Sequence, residues 1–106
     1  MADRWIAKFK KDAAPKLVKE FKPRKIIVFG SRMQGTAKRD SDIDVIVVSS
    51  YFSEIPFLKR MPLVLKKLSF PKHVDYICYT PVEYERIKVE SFTIRDALEN
   101  ALEIMT

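Results

Sequence analysis

Three carboxylates and one Gly-Ser pair carry the chemistry open to this sequence. Gly30-Ser31 follows the apolar run Ile26-Ile27-Val28-Phe29, and after ten intervening residues Asp42-Ile43-Asp44 opens a second apolar run that ends at Val48. Carboxylates at i and i+2 of a strand point to the same face. A glycine and a hydroxyl at the end of the preceding strand let a phosphate approach the backbone closely. The third carboxylate, Asp75, stands inside another apolar run, His73-Val74-Asp75-Tyr76-Ile77, where a charge is costly unless it is paired or bound to a metal. Such a set suits phosphoryl or nucleotidyl transfer, in which the protein mainly positions groups and neutralises charge. The recurrent device is a pair of divalent ions roughly 3.5 to 4 Å apart, held by carboxylates, and magnesium prefers carboxylate and phosphate oxygens.

Each part has a plainer reading. Asp-x-Asp alone is often a solvated pair at a strand start, and Gly-Ser is common in turns. Asp75 could pair with Lys72 or Arg86. Arg32 is a plausible phosphate contact or an ion pair at the surface. Lys38 and Arg39 read as a solvated loop tip, and His73, the one histidine, reads as polar packing outside the site. The ordered combination carries the signal: apolar strand, Gly-Ser, ten residues, Asp-apolar-Asp, apolar strand, and later apolar-Asp-apolar.

Three strands must position these groups: Lys25 to Phe29, Ile43 to Val48 and Val74 to Tyr79, with a loop over Gly30 to Ser41 that holds both glycines and a possible helical turn. Ahead of them, Trp5, Ile6, Phe9, Ala13, Leu17, Val18 and Phe21 recur at helical spacing. Pro15 predicts a kink or a restart with the proline in a first turn, and Pro23 ends the segment. Ile55 to Leu68 is helical in pattern, with Pro56 and Pro62 implying a late start or a bend and Pro71 closing it. Thr80-Pro81-Val82-Glu83 predicts a helix start with a capping box, running through about Val89. A further helix, Ser91 to Glu99, should end at Asn100 in the left-handed conformation, before a short edge strand over Ala101 to Met105. The fold class is α/β (α+β): a small mixed sheet of three to four strands covered by helices.

The chain has 106 residues, 47% hydrophobic and 32% charged, the size and composition of a single folded domain spanning 1–106. No apolar run is long enough to span a membrane, and the N-terminus lacks the apolar core of a secretory signal, so the expected address is the cytoplasm. Cys78, the one cysteine, reads as a packed thiol in an apolar strand. A net charge of +6 suits a polyanion such as a nucleoside triphosphate, but the lysines are dispersed rather than interleaved with aromatics, so direct nucleic-acid binding gains little from it.

Phe29-Gly30-Ser31-Arg32, Gly35 and Ser41-Asp42-Ile43-Asp44-Val45 resemble the signature of the DNA polymerase beta-like nucleotidyltransferase superfamily, specifically its minimal nucleotidyltransferase branch. The likeness extends to His73-Val74-Asp75-Tyr76 and to Tyr79-Thr80-Pro81-Val82-Glu83-Tyr84. It implies a polymerase beta palm-like fold in which Gly30 and Ser31 hold the triphosphate with Arg32 beside them. It further implies that Asp42 and Asp44 bind two Mg2+ ions, and that Asp75 binds the catalytic metal and activates an acceptor hydroxyl. It also implies a partner, an all-helical HEPN toxin, to a tyrosine of which the domain transfers AMP from ATP or another nucleoside triphosphate, acting as an antitoxin. At 106 residues no acceptor-binding domain is expected beside this one, and the acceptor is expected to be presented by a partner or an exposed surface; a homo-oligomer stays open. Two alternatives stand beside this: a non-catalytic module that neutralises its partner by occlusion, and a transferase acting on an aminoglycoside-like small molecule.

Overall fold

The computed structural model describes residues 3–105; the outermost residues of the expected domain, 1, 2 and 106, lie outside them. The chain begins with a helical run in three pieces: α1 (Arg4–Lys8), a π turn (Phe9–Ala13) and α2 (Ala14–Phe21). Its buried residues include Phe9, Ala13, Leu17 and Phe21, each four apart. A regular α-helix would drift about 40° per such step. The wider π turn holds the stripe on the core, with the Ala14 N–H donating to the Phe9 carbonyl. Pro15, which lacks an amide hydrogen, falls in the first turn of α2, the restart that its position implies. Val18 turns out of the stripe and is 40% exposed.

The helix ends at Lys22, which takes the left-handed conformation with φ 45° and gives its N–H to the Val18 carbonyl. Asn100, expected in that role, does not take it: Lys22 is the one non-glycine residue with positive φ among those described. The last helix closes instead through a right-handed Glu99 and a hydrogen bond from the Ala101 amide to the Leu98 carbonyl.

Four strands follow the expected order: β1 (Lys25–Phe29), β2 (Ile43–Val48), β3 (Val74–Tyr79) and β4 (Leu102–Met105). They form one mixed sheet in the order β3-β2-β1-β4. β2 is antiparallel to β1 and parallel to β3, and β4 lies antiparallel on the far side of β1. Between β1 and β2 comes α3 (Ser31–Gln34). After β2, a 3-10 turn (Ser50–Glu54) buries Phe52, a turn the hydropathy pattern does not announce. α4 (Phe57–Lys67) starts after Pro56 and keeps Pro62 inside it. α5 (Pro81–Glu90) begins with the complete capping box of Thr80 and Glu83, and α6 (Phe92–Leu98) completes the chain's helices.

The two faces of the sheet are unequal. Ile26, Val28, Val45, Val47, Val74, Tyr76 and Cys78 point to the main core, packed under the N-terminal helices and α4 with Phe9, Leu17, Phe21 and Val64. Ile27, Ile46 and Val48 face the other way, onto Tyr84 of α5. By the alternation of side chains, Asp44 and Asp75 share this second face, at the sheet end where the apolar cover stops. Burial raises the Cys78 thiol to about 12, which agrees with a packed, unreactive thiol.

Candidate active site

The framework brings two of the three aspartates side by side. In the parallel β2–β3 pair, Asp44 is the direct register partner of Asp75, while on its other side it faces Phe29 of β1. Phe29 is followed by Gly30, whose φ of 84° and ψ of −162° lie in a region open only to glycine. A β-carbon there would stand 3.0 Å from Asp44 Cγ and overlap a carboxylate oxygen. The glycine thus makes room for the Asp44 carboxylate. Its carbonyl accepts the Met33 and Gln34 amides, so α3 starts at Ser31.

Asp42 precedes the strand and is exposed, Asp44 is half-buried, and Asp75 is exposed. That exposure corrects the expectation that Asp75 bears the cost of sitting in a core strand. β3 alternates buried and open positions, and a carboxylate at an open one remains solvated. Position, then, rather than a buried charge, marks Asp75.

The three carboxylates interact through Asp44. Burial, then the charges of Asp75 and Asp42, hold the Asp44 carboxyl above the usual carboxylate range. Among the described residues, the side chains as they stand do not gather three or more ligands closely enough for a metal ion. The two facts concern different distances: charges interact across several ångströms, whereas Mg2+ sits about 2 Å from its oxygens. The donor set fits a hard divalent cation. It consists of carboxylates only, two of them in register, and their mutual repulsion is what a cation would relieve.

Arg32 does not lie open beside Gly-Ser. Its Nε donates to the Ser41 carbonyl (2.9 Å), one terminal nitrogen pairs with Asp3 (2.9 Å), and the other reaches the Lys38 and Arg39 carbonyls (both 3.3 Å). With 7% of its side chain exposed, it has the ion-pair role weighed above, and a more buried one than the surface pair expected. Lys38 and Arg39 are exposed, as a loop tip should be, and so is His73, whose carbonyl receives the Ile43 amide.

One charged residue escaped the sequence pattern. Arg60, in α4, is 4% exposed. It donates to the carbonyls of Ile55 (2.8 Å) and Cys78 (3.1 Å) and forks onto Glu83. It therefore ties the outer strand β3, which carries Asp75, to α4 and to the first turn of α5. An arginine at a helical position otherwise reads as solvated, and only the four-residue spacing from Val64, itself buried, hinted at its direction.

Residues 10–104 match the family described as nucleotidyltransferase domain. Among solved structures, a candidate nucleotidyltransferase from Sulfolobus solfataricus is similar over 94% of this chain and 78% of that one, with a TM-score of 0.64 and 23% identity. BolA1 from Arabidopsis thaliana matches 76% of this chain and 96% of its own (TM-score 0.52, 22% identity). The BolA domain of Arabidopsis thaliana SufE1 matches 78% and 98% (TM-score 0.51, 20% identity). At these identities the likenesses speak to the fold alone. No curated protein matches the chain significantly. The mixed α/β fold is thus that of a nucleotidyltransferase, and from a family match over residues 10–104 the chain belongs to the nucleotidyltransferase domain family, whose chemistry is nucleotidyl transfer.

Proposed function

We propose that this chain is a Mg2+-dependent adenylyltransferase that moves AMP from ATP to a tyrosine hydroxyl of a helical HEPN-type protein partner and thereby acts as an antitoxin. The observation that carries the transferase reading is the register pair Asp44–Asp75 with Gly30 pressed against Asp44. Two carboxylates and the Gly30 turn at one end of the sheet support this reading.

Gly30 and Ser31 receive the triphosphate, the glycine by letting it approach the chain and Ser31 through its hydroxyl. Asp42, Asp44 and Asp75 would hold two Mg2+ ions, whose chemistry there is to neutralise the triphosphate and to lower the pKa of the acceptor hydroxyl. Asp75 takes the acceptor's proton. The freed oxygen then bonds to the α-phosphorus, the bond from that phosphorus to the bridging oxygen breaks, and pyrophosphate departs with the electron pair.

The tyrosine in this reading has its own support. Asp75 lines a cleft of about 230 Å³ together with Phe57, Leu58, Met61 and Ile77, and Leu58 is 86% exposed. An apolar wall beside a proton acceptor suits an aromatic hydroxyl better than a sugar. An exposed apolar residue in its lining suits an acceptor brought by another protein. The test is to incubate the purified chain with ATP, Mg2+ and the candidate partner and to look for the mass of one AMP on a tyrosine. A partner that is neutralised without acquiring AMP, by the parent chain and equally by an Asp42/Asp44 double variant, would establish occlusion instead.

A further inference from the structure

We propose that Arg32 is a positioning residue for Asp42, holding the loop that delivers this carboxylate, and that Asp3 anchors the guanidinium from the N-terminal helix. The proposal rests on the reading of Asp42 as a metal ligand.

A guanidinium has five N–H donors in a fixed plane. Four hydrogen bonds from Arg32 go to the Ser41, Lys38 and Arg39 carbonyls and to the Asp3 carboxylate. Ser41 is the residue immediately before Asp42. The same short segment closes on itself, the Ser41 amide donating to the Lys38 carbonyl (3.0 Å) and the Lys38 amide to the Ser41 hydroxyl (2.9 Å). Arg32 straps this turn to α3, the helix that Gly30 and Ser31 begin. One side chain therefore fixes the distance between the turn proposed for the triphosphate and the first of the carboxylates.

Asp3 completes the arrangement. It caps α1, accepting the amides of Trp5 (2.8 Å) and Ile6 (3.3 Å) through one oxygen while the other meets Arg32. Its side chain is 19% exposed. Burial opposes its ionisation, but the hydrogen bonds from Arg32, Trp5 and Ile6 outweigh that and lower its pKa, so it stays anionic opposite the arginine. A two-pronged grip on a phosphate would draw on donors that the strap uses. Lysine would keep the charge but lose the planar fork.

The test compares the full chain with Arg32→Ala, Arg32→Lys and Asp3→Asn in two measurements that need no turnover and one that does. Hydrogen exchange at the Lys38 and Ser41 amides should quicken at least tenfold in both Arg32 variants without metal, with the β2 amides of Val45 and Val47 unchanged. Mn2+ affinity without nucleotide, followed by electron paramagnetic resonance, should fall about 10-fold or more. The double variant of Asp3 and Arg32 should be no worse than Arg32→Ala alone, because both act through one strap. In turnover, the metal concentration for half-activity should rise while the KM for ATP at saturating metal changes less than threefold. A rise in the ATP KM with loop exchange and Mn2+ affinity unchanged would make Arg32 a phosphate ligand and overturn the proposal. So would no change in any of them. If the parent chain fails to bind Mn2+, the metal reading falls, and amide exchange still decides whether Arg32 holds the loop.

Discussion

Gly30 and Asp44 are packed so closely that a β-carbon on the glycine would stand 3.0 Å from the aspartate's Cγ and overlap its carboxylate. Gly30→Ala meets two penalties: a side chain in a backbone region closed to it, worth about 1–3 kcal/mol, and a carboxylate pushed aside. We expect that stability loss in urea unfolding, together with a fall in transfer rate of about a hundredfold, since small displacements of positioned groups cost that much. Gly35→Ala is the control. It also has positive φ, 74°, but beyond its chain neighbours no atom lies within 4 Å of an added β-carbon, so it should cost about 1 kcal/mol and leave the Asp44 environment alone. Equal losses of activity from both substitutions would remove the contact from the argument.

Arg60→Met should lower stability by about 2–4 kcal/mol in urea unfolding, because it leaves the Ile55 and Cys78 carbonyls and Glu83 without their donor. A loss under 1 kcal/mol would show that water takes over these acceptors. Glu83→Gln separates the ion pair from the cap, since glutamine can still accept the Thr80 amide. The hydrogen bond from Arg60 holds the Glu83 carboxyl below its ordinary 4.5. A lowered carboxylate stabilises the fold above its unfolded value and loses that contribution as pH falls through the folded one. The glutamine variant should therefore be less stable than the parent above 4.5 and converge with it in acid.

The strands and the capping box were legible because local signals agree there: apolar runs bounded by Pro and Gly, and Thr80-Pro81-x-Glu83 before a helix. The site was half legible. Asp-x-Asp after Gly-Ser announces a spacing, but the Asp44–Asp75 register is a tertiary fact, as parallel neighbours are joined through a distant crossover. The burial argument for Asp75 failed because apolar neighbours in sequence do not distinguish a core strand from an alternating one at the sheet's edge. Arg32 and Arg60 show the complementary blind spot. A long basic side chain reads as solvated until the fold reveals which carbonyls surround it. The π turn, too, leaves only a four-residue spacing and a proline as its trace.

Lys22→Gly should stabilise the chain. Lys22 ends α2 with φ 45°, a conformation that costs a residue with a β-carbon about 1–2 kcal/mol. Glycine removes that cost but brings a more flexible unfolded chain, worth about 0.4–1 kcal/mol in the other direction. The balance is a gain of about 0.5–1 kcal/mol, read as a higher urea midpoint at unchanged slope. A lower midpoint would mean that the lysine side chain makes a contribution the hydrogen bonding of α2 does not reveal.

Asp44→Asn separates stability from activity most sharply. Burial and the charges of Asp75 and Asp42 raise the Asp44 carboxyl above its ordinary 3.8, so the folded chain holds this proton more tightly than the unfolded one. Stability attributable to the group therefore falls as pH rises from 3.8 through the raised value, and the whole penalty is present at neutral pH. Asparagine carries no charge and removes it. In the absence of metal, the variant should melt higher than the parent at about pH 7, with the difference vanishing below the unfolded carboxylate value. Transfer should fall by at least about a thousandfold. Adding Mg2+ should raise the parent's melting temperature, by binding the folded state alone, and leave the variant's nearly unmoved. Asp75→Asn should lower the Asp44 pKa, followed by NMR titration of its carboxyl carbon, because it takes away the stronger of the two like charges acting on it. An unmoved titration would mean that burial and the Asp42 charge hold Asp44 without Asp75, and the register pair would lose its electrostatic meaning.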